Sequence, residues 1–187
     1  MSDHAEILSE RAQKGDFSAA SELVLLFYQR IFGYLRRLSG NDQDAEDLTQ
    51  KTFTKTWQSL PSYQRRSSFS TWLHGIAYHA YLDWRRQRRV NDAQSDEWWE
   101  ARAAESPTPY EHTADREMAH KLYRWVDELD EEKKQAVHLH YYQNLPLSET
   151  AEVLGVAAST VKYRLREALD FLRSRAAKAE SLIERKV

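Results

Sequence analysis

Long segments of this 187-residue chain carry apolar residues at helical spacing, and few residues in them would interrupt a helix. Between residues 69 and 89, for example, one helical face has apolar residues at regular spacing: Phe69, Trp72, Leu73, Ile76, Ala77, Ala80 and Trp84. The whole chain has only five glycines and four prolines, so few positions suit the tight turns that join β-strands. The pattern predicts an all-α protein.

Charge is distributed unevenly along the chain, although the net charge is only −2. Residues 1–90 carry 13 Lys and Arg against 10 Asp and Glu, residues 91–132 carry 4 against 13, and residues 133–187 carry 10 against 6. The first part of the acidic segment is rich in Ser, Thr and Pro, which is typical of a linker. We therefore predict two small helical domains, residues 1–90 and 114–187, joined by an acidic linker at 91–113.

Two features bear on the environment of the chain. It has no cysteine, which excludes disulfide bonds and thiolate chemistry. No apolar run approaches the roughly 20 residues that a membrane-spanning helix needs, and the first residues lack the apolar core of a signal peptide. We expect a cytoplasmic protein without membrane insertion.

Trp98 and Trp99 are unusual in a linker; they would either dock on another surface or belong to a short helix folded back on its own domain.

The segment LPLSETAEVLGVAASTVKYRLREAL, residues 145–169, has the spacing of a helix-turn-helix. Small Ala151 permits the two helices to cross closely, Gly155 allows the positive φ of the turn, and Ser159 is expected to cap the second helix. The outward face of that helix would hold Lys162, Tyr163, Arg166 and Glu167, with Thr160 and Arg164 at its sides. Such a face can enter a major groove and bind base edges. The alternative is a helical hairpin with an ordinary solvated face.

Three motifs occur in a fixed order: DAEDLTQKTFTKTW, FSTWLHGIAYHAYLDWRRQRR and the helix-turn-helix. With this order the chain resembles the extracytoplasmic-function (ECF) sigma factors, which are promoter-recognition subunits of bacterial RNA polymerase. The resemblance covers residues 5–173. It implies an alternative sigma factor that binds core RNA polymerase and directs promoter-specific transcription initiation by recognising and melting promoter DNA.

The resemblance implies that the first motif docks on the coiled-coil clamp of the largest polymerase subunit. The implied contacts are Asp44, Glu46, Asp47 and Gln50. Exposed carboxylates suit a basic partner, and charges of this kind mainly set association rate and orientation. Capping of the helix by Asp42 or Asp44 is a second explanation for one of the carboxylates. Lys51 departs from the family pattern, which usually has an acidic residue there.

The second motif and the loop before it would, by the same resemblance, bind the strand-separated minus-ten element. Unpaired bases need planar surfaces and pockets, which contribute about 1–3 kcal/mol per base, while arginines follow the phosphates. The implied contacts are Arg65, Arg66, Ser67 and Ser68 in the loop, His79, Asp83 and Arg86 on the polar face, and Arg85, Arg88 and Arg89 along the phosphates. His79 stands where relatives typically have asparagine, and an ordinary surface histidine is the alternative.

The helix-turn-helix would read the minus-thirty-five element through residues of its second helix. The implied contacts are Ser159, Thr160, Lys162, Tyr163, Arg164, Arg166 and Glu167. The acidic linker would run through positively charged channels of the polymerase. The implied partners are core RNA polymerase and promoter DNA. Whether an anti-sigma protein also binds the chain stays open.

Three other classes of function compete with this interpretation. An enzyme is disfavoured because the chain has no glycine-rich phosphate loop and no nucleophile motif, and because His138 and His140 point to different sides of a helix. We therefore expect no catalytic residue, metal or cofactor. An ordinary DNA-binding regulator with a dimerisation or ligand module, and a purely protein-binding adaptor, remain open. Binding of duplex operator without polymerase would favour the regulator.

Overall fold

In a computed structural model the described residues are 2–92 and 114–184, with side chains described for 3–88 and 121–179. Eight α-helices and no strand lie in these ranges, which confirms the predicted all-α class. The helices are α1 (Ser2–Gln13), α2 (Phe17–Ser39), α3 (Asp42–Ser59), α4 (Phe69–Asp92), α5 (Ala114–Asp127), α6 (Glu131–Val137), α7 (Leu147–Leu154) and α8 (Ala158–Glu184). A short 3₁₀ turn, Leu60–Ser62, follows α3, and a π-helical turn, His138–Tyr142, follows α6.

Local chemistry explains where the helices of the first domain begin and end. The Asp16 side chain accepts hydrogen bonds from the backbone N–H groups of Ser18 and Ala19 at the start of α2. At the end of α2, Gly40 adopts a left-handed conformation with φ of 86°. The cap of α3 is Asn41, whose side chain accepts from the Asp44 backbone N–H. The expectation that Asp42 or Asp44 caps this helix was therefore wrong by one to three residues.

The core of the first domain surrounds α2, which packs against α1, α3 and α4. Its fully buried side chains include those of Leu23, Ile31, Tyr34, Leu48 and Leu73. Phe69, Leu73, Ala77 and Ala80 of the face predicted between residues 69 and 89 are buried. Trp72, Ile76 and Trp84 of the same face are only partly buried. The apolar periodicity therefore located the core of this domain.

The second domain is built on α6, α7 and α8, and α8 packs against both α6 and α7. The α7–α8 turn has the expected helix-turn-helix form, since Gly155 ends α7 with φ of 66° and Ala151 is buried. One detail differs from the expectation. Because α8 begins at Ala158, Ser159 lies in its first turn and is not the N-terminal cap.

The two helical domains pack directly on each other, which the sequence did not indicate. Helix α7 lies against α4, and the buried hydrophobic cluster includes residues of both domains. His74 of α4 is fully buried, with its ring edge-on to Tyr34 and its Nε2 atom 3.4 Å from the Gln143 side-chain oxygen. Burial lowers the pKa of His74 to about 4.

The structure also bears on the predicted linker. Helix α4 continues to Asp92, two residues beyond the predicted end of the first domain. Residues 93–113, and with them the two interpretations of Trp98 and Trp99, lie outside the described residues.

Candidate nucleic-acid and polymerase interfaces

The 63–68 loop, which holds four of the predicted promoter contacts, is fastened to the domain by α1. Gln13 donates from Nε2 to the carbonyl oxygens of Leu60 and Tyr63, at 2.9 and 2.8 Å. Glu6 accepts a 2.6 Å bond from the backbone N–H of Phe69 at the start of α4. Glu10 Oε2 lies 3.4 Å from Arg65 Nη1, so Glu6, Glu10 and Gln13 form a supporting row that sequence reasoning missed. Glu10 and Gln13 follow Glu6 by four and seven residues, which places all three side chains on one side of a helix. This spacing was the signal in the sequence that could have identified them.

Within the loop, each predicted contact residue has a different environment. Arg65 has a positive φ of 55° and donates to the Gln13 side-chain oxygen at 3.0 Å, while Arg66 is exposed. Ser68 caps α4, since its Oγ accepts from the Thr71 backbone N–H at 3.1 Å. Non-glycine residues with positive φ are unusual and cluster at functional sites. The loop is therefore a constrained structure and not a free connection.

The aromatic side chains of α4 mainly pack against the protein. Trp72 stacks on Tyr63 with ring centroids 4.6 Å apart, and Phe69 packs on Phe27 at 5.5 Å. Burial also raises the pKa of Tyr63 above its ordinary value. The large ring surface beside the 63–68 loop thus rigidifies it, while Trp72 keeps part of its surface accessible.

The polar face of α4 borders an open groove between α3 and α4. The groove has a volume of about 380 Å³ and is lined by Lys55, Gln58, Ser59, Ile76 and His79. His79 is exposed, and Asp83 lies 3.6 Å from Lys55 Nζ and 3.1 Å from Arg86 Nη2. The predicted contacts His79, Asp83 and Arg86 are therefore brought together on one accessible face.

The three arginines predicted to follow phosphates do not form one free track. Arg85 is half-buried and lies 4.0 Å from Glu131 of the second domain. Arg88 donates to Asp44 at 2.6 Å and its guanidinium lies over the Trp84 ring. Arg89 belongs to the same helix, but its side chain is outside the described part.

The four residues predicted to bind polymerase fall into two groups. Glu46, Asp47 and Gln50 are exposed on α3, and Lys51 lies beside the last two along a shallow groove. Asp44 instead accepts bonds from Trp84 Nε1 at 3.3 Å and from Arg88 at 2.6 Å, and its side chain is only 26% exposed. The carboxylate of Asp44 therefore joins α3 to α4, while the other three face outward.

The second helix of the helix-turn-helix presents a compact basic and aromatic face. Lys162, Tyr163 and Arg166 are exposed, and the Arg166 guanidinium lies 5.3 Å from the Tyr163 ring centroid. Ser159 is also exposed, in the first turn of α8, whereas Thr160 and Glu167 are half-buried. Arg164 is turned aside and donates to Glu132 of α6 at 2.6 Å. The face that a DNA groove would meet thus consists chiefly of Lys162, Tyr163 and Arg166.

Residues 2–92 and 114–184 contain no group of three or more His, Asp or Glu side chains that could hold a metal ion. In the same ranges, no helix is both long and apolar enough to cross a lipid bilayer.

The geometry defines a class of protein: a helical nucleic-acid-binding protein in which a helix-turn-helix module is packed on a second module with its own polar, basic helix face. Each of the two modules matches the model of a known protein family. Residues 23–90 match the model of Sigma-70 region 2, and residues 125–174 match that of Sigma-70 region 4. The chain belongs to the RNA polymerase sigma factors, and several of the relatives that it resembles are named ECF RNA polymerase sigma factors.

The relatives differ in length. The chain is 35% identical over 161 residues to the ECF RNA polymerase sigma factor SigE of Mycolicibacterium smegmatis, a match that covers 86% of this chain but 62% of that protein. It is 30% identical over 151 residues to the RNA polymerase sigma factor YlaC of Bacillus subtilis, covering 79% of this chain and 86% of YlaC.

Two solved structures share the fold. CnrH, solved in complex with the cytosolic domain of CnrY, matches with a TM-score of 0.69 and 20% identity, covering 94% of this chain and 98% of CnrH. The sigma factor RpoE of Bartonella quintana, solved with the anti-sigma factor NepR, matches with a TM-score of 0.69 and 23% identity, covering 82% of this chain and 94% of RpoE. These likenesses confirm the two-domain helical architecture.

As a member of this family, the chain is an alternative sigma factor that directs promoter-specific transcription initiation. Such proteins are DNA-recognition subunits of RNA polymerase.

Proposed function

We propose a division of roles along the chain, with domain limits at residues 1–90 and 114–187 and a linker at 91–113. The first domain binds core polymerase and opened minus-ten DNA. The second domain reads duplex DNA at the minus-thirty-five element. The observation that carries the proposal is the exposed face of Lys162, Tyr163 and Arg166 on the second helix of a helix-turn-helix whose turn glycine is left-handed.

Polymerase binding is assigned to the outward face of α3. Glu46, Asp47 and Gln50 are exposed there and can meet a basic helical surface. Asp44 takes part indirectly, because it ties the beginning of α3 to α4 through Arg88. Lys51 adds a positive charge to the same face, so the partner surface opposite it carries an acceptor or a negative charge.

Minus-ten binding is assigned to the 63–68 loop and to the polar face of α4. The exposed Arg66 and Arg86 are suited to phosphates, and the groove beside His79 can take an unpaired base. The imidazole ring of His79 has two nitrogen atoms that can form hydrogen bonds, where asparagine would offer an amide. This difference predicts an altered base preference at the position that His79 faces.

Several further assignments belong to the same proposal. The chain recognises DNA without catalysing a reaction of its own, uses no metal or cofactor, and works in the cytoplasm beside the polymerase. An anti-sigma protein is a further partner, because CnrH and RpoE of Bartonella quintana share this fold and were each solved with a bound protein, CnrY and the anti-sigma factor NepR respectively.

The test is transcription by core polymerase, with and without the purified chain, on a library of fragments from the native genome. Mapping of transcript starts is expected to reveal new start sites that share an upstream element. Start sites that are the same with and without the chain would refute the proposal. Tight binding to a duplex site in the absence of polymerase would instead indicate an ordinary DNA-binding regulator.

A residue-level test uses Lys162→Ala with Lys178→Ala, further along the same helix, as its control. If Lys162 contacts a base edge, its loss is expected to cost about 1–3 kcal/mol and to change the preference at one upstream position. Equal weakening on all sequences would show that Lys162 does not read a base.

A further inference from the structure

Helix α1 fixes the entry to the 63–68 loop through one side-chain amide. Gln13 Nε2 donates to the carbonyl oxygens of Leu60 and Tyr63, at 2.9 and 2.8 Å, and Gln13 Oε1 accepts from Arg65 Nη2 at 3.0 Å. A primary amide has two donor hydrogens and one acceptor oxygen. Both polar atoms of this half-buried side chain are therefore bonded to the loop or to the turn that precedes it.

Glu6, two helical turns before Gln13, fixes the exit of the loop. Its Oε1 atom accepts a 2.6 Å bond from the backbone N–H of Phe69, the first residue of α4. Such first-turn N–H groups have no acceptor within their own helix, and a carboxylate is favourable at that end. Glu6 Oε2 lies 3.3 Å from the Tyr63 hydroxyl, which donates to the Ser67 carbonyl oxygen at 2.8 Å. Glu6 therefore contacts both ends of the loop.

Between these ends, Arg65 adopts a conformation that a free chain rarely keeps. Its φ is 55°, a region in which the Cβ atom of an ordinary residue is crowded. The Arg65 guanidinium donates to Gln13 Oε1 and lies 3.4 Å from Glu10 Oε2, so both of these partners belong to α1. Arg66, the next residue, is exposed. The contacts with α1 thus stabilise a strained turn beside an exposed arginine.

We propose that Gln13 and Glu6 are positioning residues for minus-ten recognition, which hold the 63–68 loop in one conformation without touching DNA themselves. A loop that distinguishes one base from another needs fixed geometry, because a loop with several conformations adapts to several bases and loses affinity when it becomes ordered. Arg65 then belongs to the support, and Arg66 is the loop arginine that meets phosphates. Both positioning residues precede residue 23, where the match to the Sigma-70 region 2 model begins. The inference rests on the proposed minus-ten role of the loop.

The first measurement is hydrogen exchange of backbone N–H groups in the full chain, followed by nuclear magnetic resonance. Gln13→Ala removes two hydrogen bonds to the start of the loop, so we expect the Tyr63 N–H to exchange about tenfold faster. Gln13→Glu keeps the length of the side chain and an acceptor for Arg65 but has no hydrogen to donate when ionised, so it should resemble Gln13→Ala. Glu6→Ala should accelerate exchange of the Phe69 N–H by about tenfold or more.

The matched control is His4→Ala, on the same helix. His4 is exposed, and its Nε2 atom lies 2.8 Å from Glu22 Oε1 of α2, so its contact stays within the first two helices. We expect this variant to exchange like the parent at Tyr63 and Phe69. Circular dichroism verifies that all variants have equal helix content.

The second measurement is transcription by core polymerase loaded with each variant. The template is a promoter mapped with the parent chain, in a pool whose minus-ten positions are randomised. In Gln13→Ala, Gln13→Glu and Glu6→Ala we expect the preference for the favoured bases to fall about five- to tenfold. The preference at the upstream element, measured on a second pool, and the affinity for core polymerase should stay unchanged, because these bonds join α1 to the loop. A general loss of folded protein would lower the yield from all sequences equally.

Each contrary outcome has a distinct meaning. Equal exchange rates in the Gln13 variants and in His4→Ala would overturn the support of the loop by α1. Faster exchange with an unchanged minus-ten preference would overturn the role of this support in recognition. Absence of specific start sites with the parent chain would refute the proposed function itself, and the exchange rates, measured without DNA or polymerase, would still report on the contact between α1 and the loop.

Discussion

The two acidic residues Asp44 and Asp47 provide a sharp test of the site, because they lie three positions apart in one motif and have different environments. Asp44 accepts a 2.6 Å bond from Arg88 and a 3.3 Å bond from Trp84 Nε1, whereas Asp47 is exposed. We expect Asp44→Ala to destabilise the fold and Asp47→Ala to leave stability nearly unchanged. Both substitutions should weaken binding to core polymerase, but for different reasons.

The magnitude follows from the exposure of the pair. The Asp44 and Arg88 side chains are 26% and 30% exposed, so most of each is shielded from water. A hydrogen bond to a charged group contributes roughly 1.5–3 kcal/mol, and partial access of water to Arg88 favours a loss near 2 kcal/mol. For a chain of this size that loss lowers the melting temperature by about 4–8 °C. An exposed substitution such as Asp47→Ala should stay within about 0.5 kcal/mol.

The assay is urea unfolding followed by circular dichroism, together with titration of labelled protein with core polymerase. A double-mutant cycle with Asp44→Ala and Arg88→Ala should give a coupling energy of about 1–2 kcal/mol. Equal stability of the Asp44 and Asp47 variants, or a coupling energy near zero, would refute the assignment of Asp44 as the connection between α3 and α4. Unchanged polymerase binding in Asp47→Ala would remove that residue from the docking face.

Three further predictions concern the DNA faces and the domain contact. Arg166→Ala should weaken promoter binding by about 1–3 kcal/mol and relax the preference at one upstream position in a competition assay; uniform weakening would contradict base reading. Arg86→Ala should lower the slope of log affinity against log salt by about one, and an unaltered slope would exclude a phosphate contact. Burial depresses the pKa of His74 to about 4. The unfolded chain therefore binds the proton more readily, so His74 reduces stability as pH falls from about 6.5 to 4, by about 2 kcal/mol between pH 7 and 5. His74→Gln should flatten that decline in urea midpoints, and an equal decline in both proteins would contradict it.

Much of the architecture could be predicted because it depends on neighbouring residues. Gly40 and Gly155 mark helix ends, since the left-handed conformation that they adopt is favourable for glycine. The apolar spacing identified most of the buried face of α4 because a helix places residues three and four apart on one side. The cap positions were less well predicted. Asn41 caps α3 in place of a neighbouring aspartate, and α8 begins one residue before Ser159.

The residues of the candidate site also fall into two groups. Some are positioned by their own helix, and others by contacts with residues far away in the sequence. The exposure of Lys162, Tyr163 and Arg166 follows from helical periodicity, so the amino-acid sequence by itself determined the exposed face that we propose meets DNA. The pairing of Asp44 with Arg88 and of Glu149 with Ser68 joins residues 44 and 81 positions apart. Such pairs depend on how the helices are rotated and docked, which the residues of one segment do not specify. Only the tertiary structure therefore decided which carboxylates remain exposed to a partner and which join one helix to another.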